Sequence, residues 1–303
     1  MSLALPVAPA QAPAPVSAVA GDACSAPRPA LDWLVRHPAA DLARFGRRQD
    51  GGYVVPRRAL DAAACLVGLG INDEWSFETD VLAHTGVRRL VAVDGSVGLR
   101  RFLRLAFHEG RMALGAVLTG RWPVARFHGG RTRHWLRTAW GFRTLLAPAG
   151  RTFVPRMLRG APGGDGVTWR ALVAAHAADG APMFVKMDIE GAEYDVLPAL
   201  LTDADRITGL AVEFHDVGRE WTRFRALLEA LTVPFAVVHV HGNNWGPLVP
   251  GTAVPEVLEV TLLHRGLMTA EEQAAEAADP LPVPGLDWPN RPGTEDYQVL
   301  VGS

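Results

Sequence analysis

The residues of this chain best suited to chemistry sit together at the end of one short apolar run. In Phe184-Val-Lys-Met-Asp188-Ile-Glu190-Gly-Ala-Glu193, Met183 to Met187 has the length and character of a buried strand, and a glycine turn follows. Two carboxylates and an ammonium are thereby delivered to the strand end, where open α/β sheets bind their ligands. Asp188 and Glu190 are candidates to take a proton from, or to position, a reacting group. Lys186 is the only lysine; the other 29 of the 30 basic residues are arginine, a bias that fits either a site where a guanidinium cannot replace the compact ammonium or simply a snorkelling strand-end lysine. Further along, His215 follows an apolar run, His241 ends another, and Asn243-Asn244 come directly after it, adding an imidazole pair and amides to the same candidate set. Asp188 and His215 are both suited to act as base, and Glu190 to position. Asp188, His215 and His241 could also gather a divalent ion, a mixed ligand set several such ions accept, although no short-range ligand spacing marks one.

Elements of alternating type must carry these groups. Leu31 to Phe45 predicts a helix, and Asp50-Gly-Gly-Tyr53 a turn into Val54-Val55. Strand patterns then fall at Ala64 to Leu69, Arg89 to Val93, Val124 to Phe127, Met183 to Met187, Ile207 to Phe214, Phe235 to Val240 and Val257 to His264. Helical patterns fall at Ser76 to His84, from about Val97, at Val167 to Ala178, at Ala192 to Leu201 with Pro198 inside, and at Trp221 to Leu231. An irregular Arg/Gly-rich stretch is expected after Phe127. Alternation of this kind predicts an α/β fold, a Rossmann-like, doubly wound, mostly parallel sheet of seven strands. The last two strands are joined by a Pro/Gly-rich loop without a helix, so the final strand is expected to insert antiparallel.

The first strand runs into Gly68-Leu-Gly70-Ile-Asn-Asp73, and the second ends in Asp94, an arrangement in which glycines admit a ligand to the backbone and the acid bonds ribose hydroxyls. Asp73 stands where the dinucleotide fingerprint has its third glycine and would repel a pyrophosphate. An adenosine cofactor without phosphates fits better. S-adenosylmethionine, being cationic, is compatible with Asp73 and Glu78, while Gly52 and Tyr53 are candidate covers.

Asp50-Gly-Gly-Tyr-Val-Val-Pro56, Gly68-Leu-Gly-Ile-Asn-Asp-Glu-Trp-Ser-Phe-Glu78, Val93-Asp94 and above all Lys186-Met-Asp-Ile-Glu-Gly-Ala-Glu193 resemble the FkbM-type S-adenosylmethionine-dependent methyltransferases. Glu213-Phe-His215, His239-Val-His-Gly-Asn-Asn244 and Leu258-Glu-Val-Thr261 resemble stretches of one branch of that family. The resemblance spans about Asp50 to His264. It implies a Rossmann-like methyltransferase acting on a hydroxyl of a sugar, glycolipid or natural product. The Arg-rich segment from Arg111 to Arg159 matches no pattern of that family. A nicotinamide-dependent oxidoreductase and a non-catalytic, surface-docking cofactor binder are the competing readings.

Composition bounds the rest. With 303 residues, 49% of them hydrophobic, the chain can bury a full core. No apolar run reaches the ~20 residues that span a bilayer. Residues 1–30 are Ala/Pro-rich and read as a disordered tail, 31–265 as the catalytic domain, and 266–303 as an acidic extension. Cys24 and Cys65 form no disulfide framework or metal spacing, and a reducing cytoplasm is the default. Net charge is only −2, yet Arg100 to Arg159 holds 13 arginines against one acid, Glu109, while Thr252 onward holds nine acids against Arg265 and Arg291. The partner expected is a small molecule or glycan rather than a nucleic acid. The basic block, which opens with an amphipathic helical pattern, offers a peripheral membrane contact.

Overall fold

The computed structural model describes residues 29–302. The expected disordered tail, up to residue 28, and Cys24 within it lie outside the described residues. The chain enters through β1 (Leu31–Val35), β2 (Leu42–Phe45) and β3 (Tyr53–Pro56), followed by the short helix α1 (Arg57–Asp61). Strand and helix then alternate: β4 (Cys65–Leu69), α2 (Ser76–His84), β5 (Arg89–Val93), α3 (Leu99–Leu118), α4 (Trp122–Leu146) and β6 (Arg151–Val154). After the small pair β7 (Leu158–Arg159) and β8 (Val167–Thr168) come α5 (Trp169–His176), β9 (Met183–Met187), α6 (Glu193–Leu200), β10 (Ile207–Phe214), α7 (Trp221–Leu231), β11 (Phe235–Gly242) and β12 (Leu258–His264). A short helix α8 (Ala270–Ala274) and the terminal β13 (Val301–Gly302) complete the order.

Seven strands form one mixed sheet in the order β11-β12-β10-β9-β4-β5-β6. The β4, β5, β6, β9 and β10 pairings are parallel, and β12 inserts antiparallel between β10 and β11. Strands buried on both sides are built mainly from apolar residues, and β4, β9, β10 and β11 are buried throughout, with Lys186, Glu213, His239 and His241 among their buried polar residues. Successive side chains then serve two cores. Cys65, Val67, Leu69, Val91, Val93, Val185 and Met187 pack with α5, α6 and α7 residues such as Leu172, Leu197 and Phe224. Leu66, Leu90, Ala92 and Phe184 pack on the other face with Tyr53, Leu60, Phe77, Phe102 and Phe142. From β4 the chain winds outward to β6, then returns to β9 and winds the other way. The order therefore reverses between β4 and β9, and a crevice opens there at the carboxyl ends of the strands.

Two expectations are corrected. Leu31 to Phe45 is not a helix: β1 pairs with β13 from the far end of the chain and β2 pairs with β3, and Pro38 between them would cost a helix there a hydrogen bond and a steric clash. Val124 to Phe127 is not a strand and its surroundings are not irregular; both belong to the 25-residue α4, and the edge strand is β6. Gly129 and Gly130 lower local helix propensity by about 1 kcal/mol each, but α4 packs along α3 and the pairing outweighs the cost. Pro123 in the first turn was the available signal for its start. Residues 266–302, expected as an acidic extension, pack against the rest of the fold. Leu281 and Val299 join the core, and Asp287 and Asn290 are buried.

Candidate active site

Gly70 makes the crevice passable. Its φ is +76°, and a Cβ there would lie 1.6 Å from the carbonyl oxygen of Asp188, so the β4 and β9 ends approach as closely as they do only because the residue is glycine. Gly68, inside β4, backs onto Glu78, and Gly52 is held under the Arg47 carbonyl, where a Cβ would sit 1.9 Å away. Gly68 and Gly52 therefore shape the walls without lining the space.

On one side of Gly70 lies a pocket of about 140 Å³ lined by Asn72, Val93, Asp94, Gly95, Ser96, Arg156, Met157, Leu158 and Ile189, with Asp188 and Glu190 at its border with the neighbouring cleft. Asp94 ends β5 as expected. Its Oδ2 accepts from the Asn72 amide (2.8 Å), and its Oδ1 from the Ser96 amide (2.6 Å) and hydroxyl (2.7 Å). Two carboxylate oxygens offer about four acceptor positions, so with three bonds already accepted about one position, on Oδ2, is left for a ligand hydroxyl, beside apolar side chains suited to a flat base.

On the other side lies a cleft of about 380 Å³, lined by Asp50, Gly51, Glu74, Glu78, Lys186, Asp188, Glu190, Glu213, His215, Asn243 and Trp245 among others. Here six carboxylates face one ammonium and one imidazole. Lys186 belongs to the wall: its Nζ donates to the Gly70 carbonyl (2.8 Å) and Asp188 Oδ2 (3.3 Å) and lies 5.5 Å from the centre of the Tyr53 ring. Burial acts to lower its pKa, yet Asp188, Glu78 and Glu213 together hold it above the ordinary value. It remains charged and neutralises part of the cluster. Glu78 is buried in α2 with Oε1 unpartnered, and burial pushes its carboxyl up despite the nearby ammonium.

His215 stands just past β10. Its Nδ1–H donates to Glu193 Oε1 (3.2 Å), and that same oxygen accepts the Ile189 (3.0 Å) and Gly191 (3.2 Å) amides. Glu193 is fully buried, so it fixes the ring with Nε2 turned toward Asp188 (3.9 Å), Glu190 (3.6 Å) and Glu213 (3.7 Å). Burial would depress the imidazole pKa, but the Glu193 bond and charge, with Asp188 and Glu190, raise it. Glu190 has a left-handed backbone (φ +55°) and a side chain 78% exposed at the mouth.

Glu213 and Asn243 complete the cluster. Asn243 Nδ2 donates to Glu213 Oε1 (2.9 Å), and the Tyr53 hydroxyl is shared between Glu213 Oε2 (3.1 Å) and Asp188 Oδ2 (3.4 Å). Burial, then Asp188, Glu259 and Asp50, push the Glu213 carboxyl well above the usual range. Asp188, Glu213 and His215 each offer a ligand atom within 4.8 Å of the others, a grouping that could hold a divalent ion.

Three expected site residues lie elsewhere. His241 is buried between Glu259 (3.2 Å) and Asp296 (3.0 Å), which raises its pKa to about 10, so it cannot join a metal group with Asp188 and His215. Asn244 turns to the C-terminal segment, donating to Thr294 Oγ1 and the Glu295 carbonyl and accepting from the Arg291 amide. Asp73 is exposed and lines neither pocket, so Glu74, Glu78 and Asp188 supply the negative lining instead. Glu193 and Glu213 carry more of the cluster than their sequence context announced. The helix-opening position of Glu193 reads equally as a cap, and the signals for Glu213 are a carboxylate inside the apolar β10 run and its place in the Glu213-Phe-His215 stretch. The chain matches no protein-family model, and no curated protein matches it.

Proposed function

We propose that this chain is an S-adenosylmethionine-dependent O-methyltransferase of the FkbM type, built on a Rossmann-like doubly wound sheet and acting on a hydroxyl of a sugar, glycolipid or natural product. The observation that carries the reading is the pairing of two adjoining pockets across Gly70. One joins the Asp94 carboxylate to apolar side chains and shares Asp188 and Glu190 with the other, which is strongly acidic. Such a surface favours a nucleoside bearing a positive, phosphate-free substituent and repels a pyrophosphate, which disfavours the nicotinamide dinucleotides. Bound S-adenosylmethionine would supply an activated methyl group on a sulfonium centre.

The chain's own groups supply position and proton removal. Asp94, with Gly70 and the Asn72 and Ser96 backbone beside it, would hold the nucleoside. Lys186 fixes Asp188 and reduces the charge of the cluster, while Tyr53 and Asn243 orient Glu213. His215 is the base we favour: Glu193 holds Nδ1–H, leaving the Nε2 lone pair in the cleft to take the proton the hydroxyl loses as its oxygen is methylated. Asp188 and Glu190 then face the imidazolium and stabilise it. Positioning of the two reactants supplies most of the remaining acceleration.

Isothermal calorimetry tests the cofactor half of the reading. Binding of S-adenosylhomocysteine, weakened about tenfold or more in Asp94→Ala and accompanied by no NAD binding, is the expected result. NAD binding without S-adenosylhomocysteine binding would overturn it.

A further inference from the structure

The Arg-rich block folds into a feature the catalytic reading does not use. The helices α3 and α4, about 30 Å and 37 Å long, form an antiparallel hairpin. Its root is anchored: Phe102, Ala139, Phe142 and Leu145 enter the core, and Trp75 at the start of α2 contacts Phe102 and Phe142. From there the last turn of α4 runs down beside Thr79, Leu82 and Ala83 of α2. Traced the other way, α4 and its partner rise past the cleft-bearing end of the sheet. Between Phe107 and His134 the buried hairpin residues are only Glu109, Ala116 and Ala125.

Two outward surfaces result. Leu99, Leu103, Phe107, Leu114, Val117 and Leu118 fall on one side of α3 by the helical repeat, and all are exposed, Phe107 at 68% and Leu118 at 77%. Trp122, Phe127 and Trp140 of α4 are exposed to a similar degree. Alongside them Arg126, Arg133 and Arg137 line an open groove with Gly130 and His134. Residues 99–146 hold ten arginines and a single acid. That acid, Glu109, is taken up inside the hairpin by His128 and Arg131 (2.6 Å each), so it does not offset the outward charge.

We propose that this hairpin docks the protein onto an anionic lipid bilayer, its arginines on the headgroups and its exposed Leu, Phe and Trp side chains in the interfacial layer. An apolar stripe bordered by cationic side chains is the amphipathic pattern that lies in a membrane interface, and the guanidinium groups gain from negative surface potential. A second copy of the hairpin would bring two cationic surfaces together. A nucleic acid would leave the leucine stripe in water. The same hairpin rises from the cleft end of the sheet, so docking would set the cleft facing the membrane.

Co-sedimentation of the full chain with phosphatidylcholine vesicles, with and without phosphatidylglycerol, tests the proposal. Binding is expected only with phosphatidylglycerol, and it should fade at high salt. The variant Arg126→Glu/Arg133→Glu/Arg137→Glu should partition on the order of a hundredfold more weakly with its unfolding midpoint kept, since all three side chains are exposed. Phe107→Ser/Leu118→Ser should weaken binding while its salt dependence persists. Wild-type protein left in the supernatant of phosphatidylglycerol vesicles would overturn the proposal, as would unchanged binding by the arginine variant. Salt-sensitive retention of duplex or single-stranded RNA without vesicle binding, or a dimer abolished by the Phe107/Leu118 variant, would replace the bilayer with that other partner.

Discussion

His215 is the residue on which the proposed chemistry turns, and its environment makes a directional prediction. The Glu193 carboxylate and neighbouring acids raise its pKa, so the ring keeps its proton to a higher pH than an ordinary histidine at ~6.5. A base must be unprotonated, so turnover should fall as pH drops through the raised pKa, with the acid limb of the kcat profile above ~6.5. Glu193→Gln removes the main raising influence and should move that limb downward, whereas a purely structural role for Glu193 would lower activity without moving it. His215→Asn should cost on the order of 10²- to 10⁴-fold in kcat with S-adenosylhomocysteine binding kept; near-normal turnover in this variant would pass the role of base to Asp188. Metal use is separable. Asp188, Glu213 and His215 could hold a divalent ion, so activity should be measured after chelation and again after adding back magnesium or manganese. Full activity in a metal-free sample would remove the ion from the mechanism.

At the scale of elements, the C-terminal segment behaves as part of the sheet's edge. His239 pairs with Asp287 (3.0 Å), Asn290 donates to Glu259 (2.6 Å), and His241 joins Glu259 to Asp296. His241 has a pKa raised to about 10, so its contribution is complete below the unfolded value of ~6.5 and is lost as pH rises through about 10. Hydrogen exchange of residues 285–302 should therefore quicken above pH 10 before the central strands respond. His241→Asn, by leaving Glu259 and Asp296 facing each other without their cation, should destabilise the fold by about 3 kcal/mol, read as a shift of the denaturant midpoint. The same elements show which parts of the chain were readable. β5, β9, β10, α2 and α7 follow their hydrophobic periods residue for residue, because their burial pattern is local. The local pattern of β1 reads as helix because its partner, β13, lies at the other end of the chain, and no local period reports such a pairing. The α3–α4 hairpin was half missed because Gly-Gly and a high arginine content weaken the helical signal that mutual packing restores.

On the whole-molecule scale, the root and the outer part of the hairpin should separate energetically. The outer part packs on itself, so replacing residues 108–130 by a short Gly/Ser connection should leave the thermal midpoint within a few degrees. A collapse of the midpoint would show that the hairpin supports the core. Composition and periodicity were enough to specify an α/β protein, to place Gly70, Asp94, Asp188 and His215 at strand ends, and to mark an arginine-rich block, because those features depend on neighbours within one element. Which strand ends meet is a long-range matter. The reversal between β4 and β9 gathers Tyr53, Lys186, Asp188, Glu213, His215 and Asn243 around one cleft, while the C-terminal segment draws His241 and Asn244 away from it. Folding separates two neighbouring polar residues, turning Asn243 to Glu213 in the cleft and Asn244 to the C-terminal segment, and side-chain direction at the end of a strand is set by what packs against it.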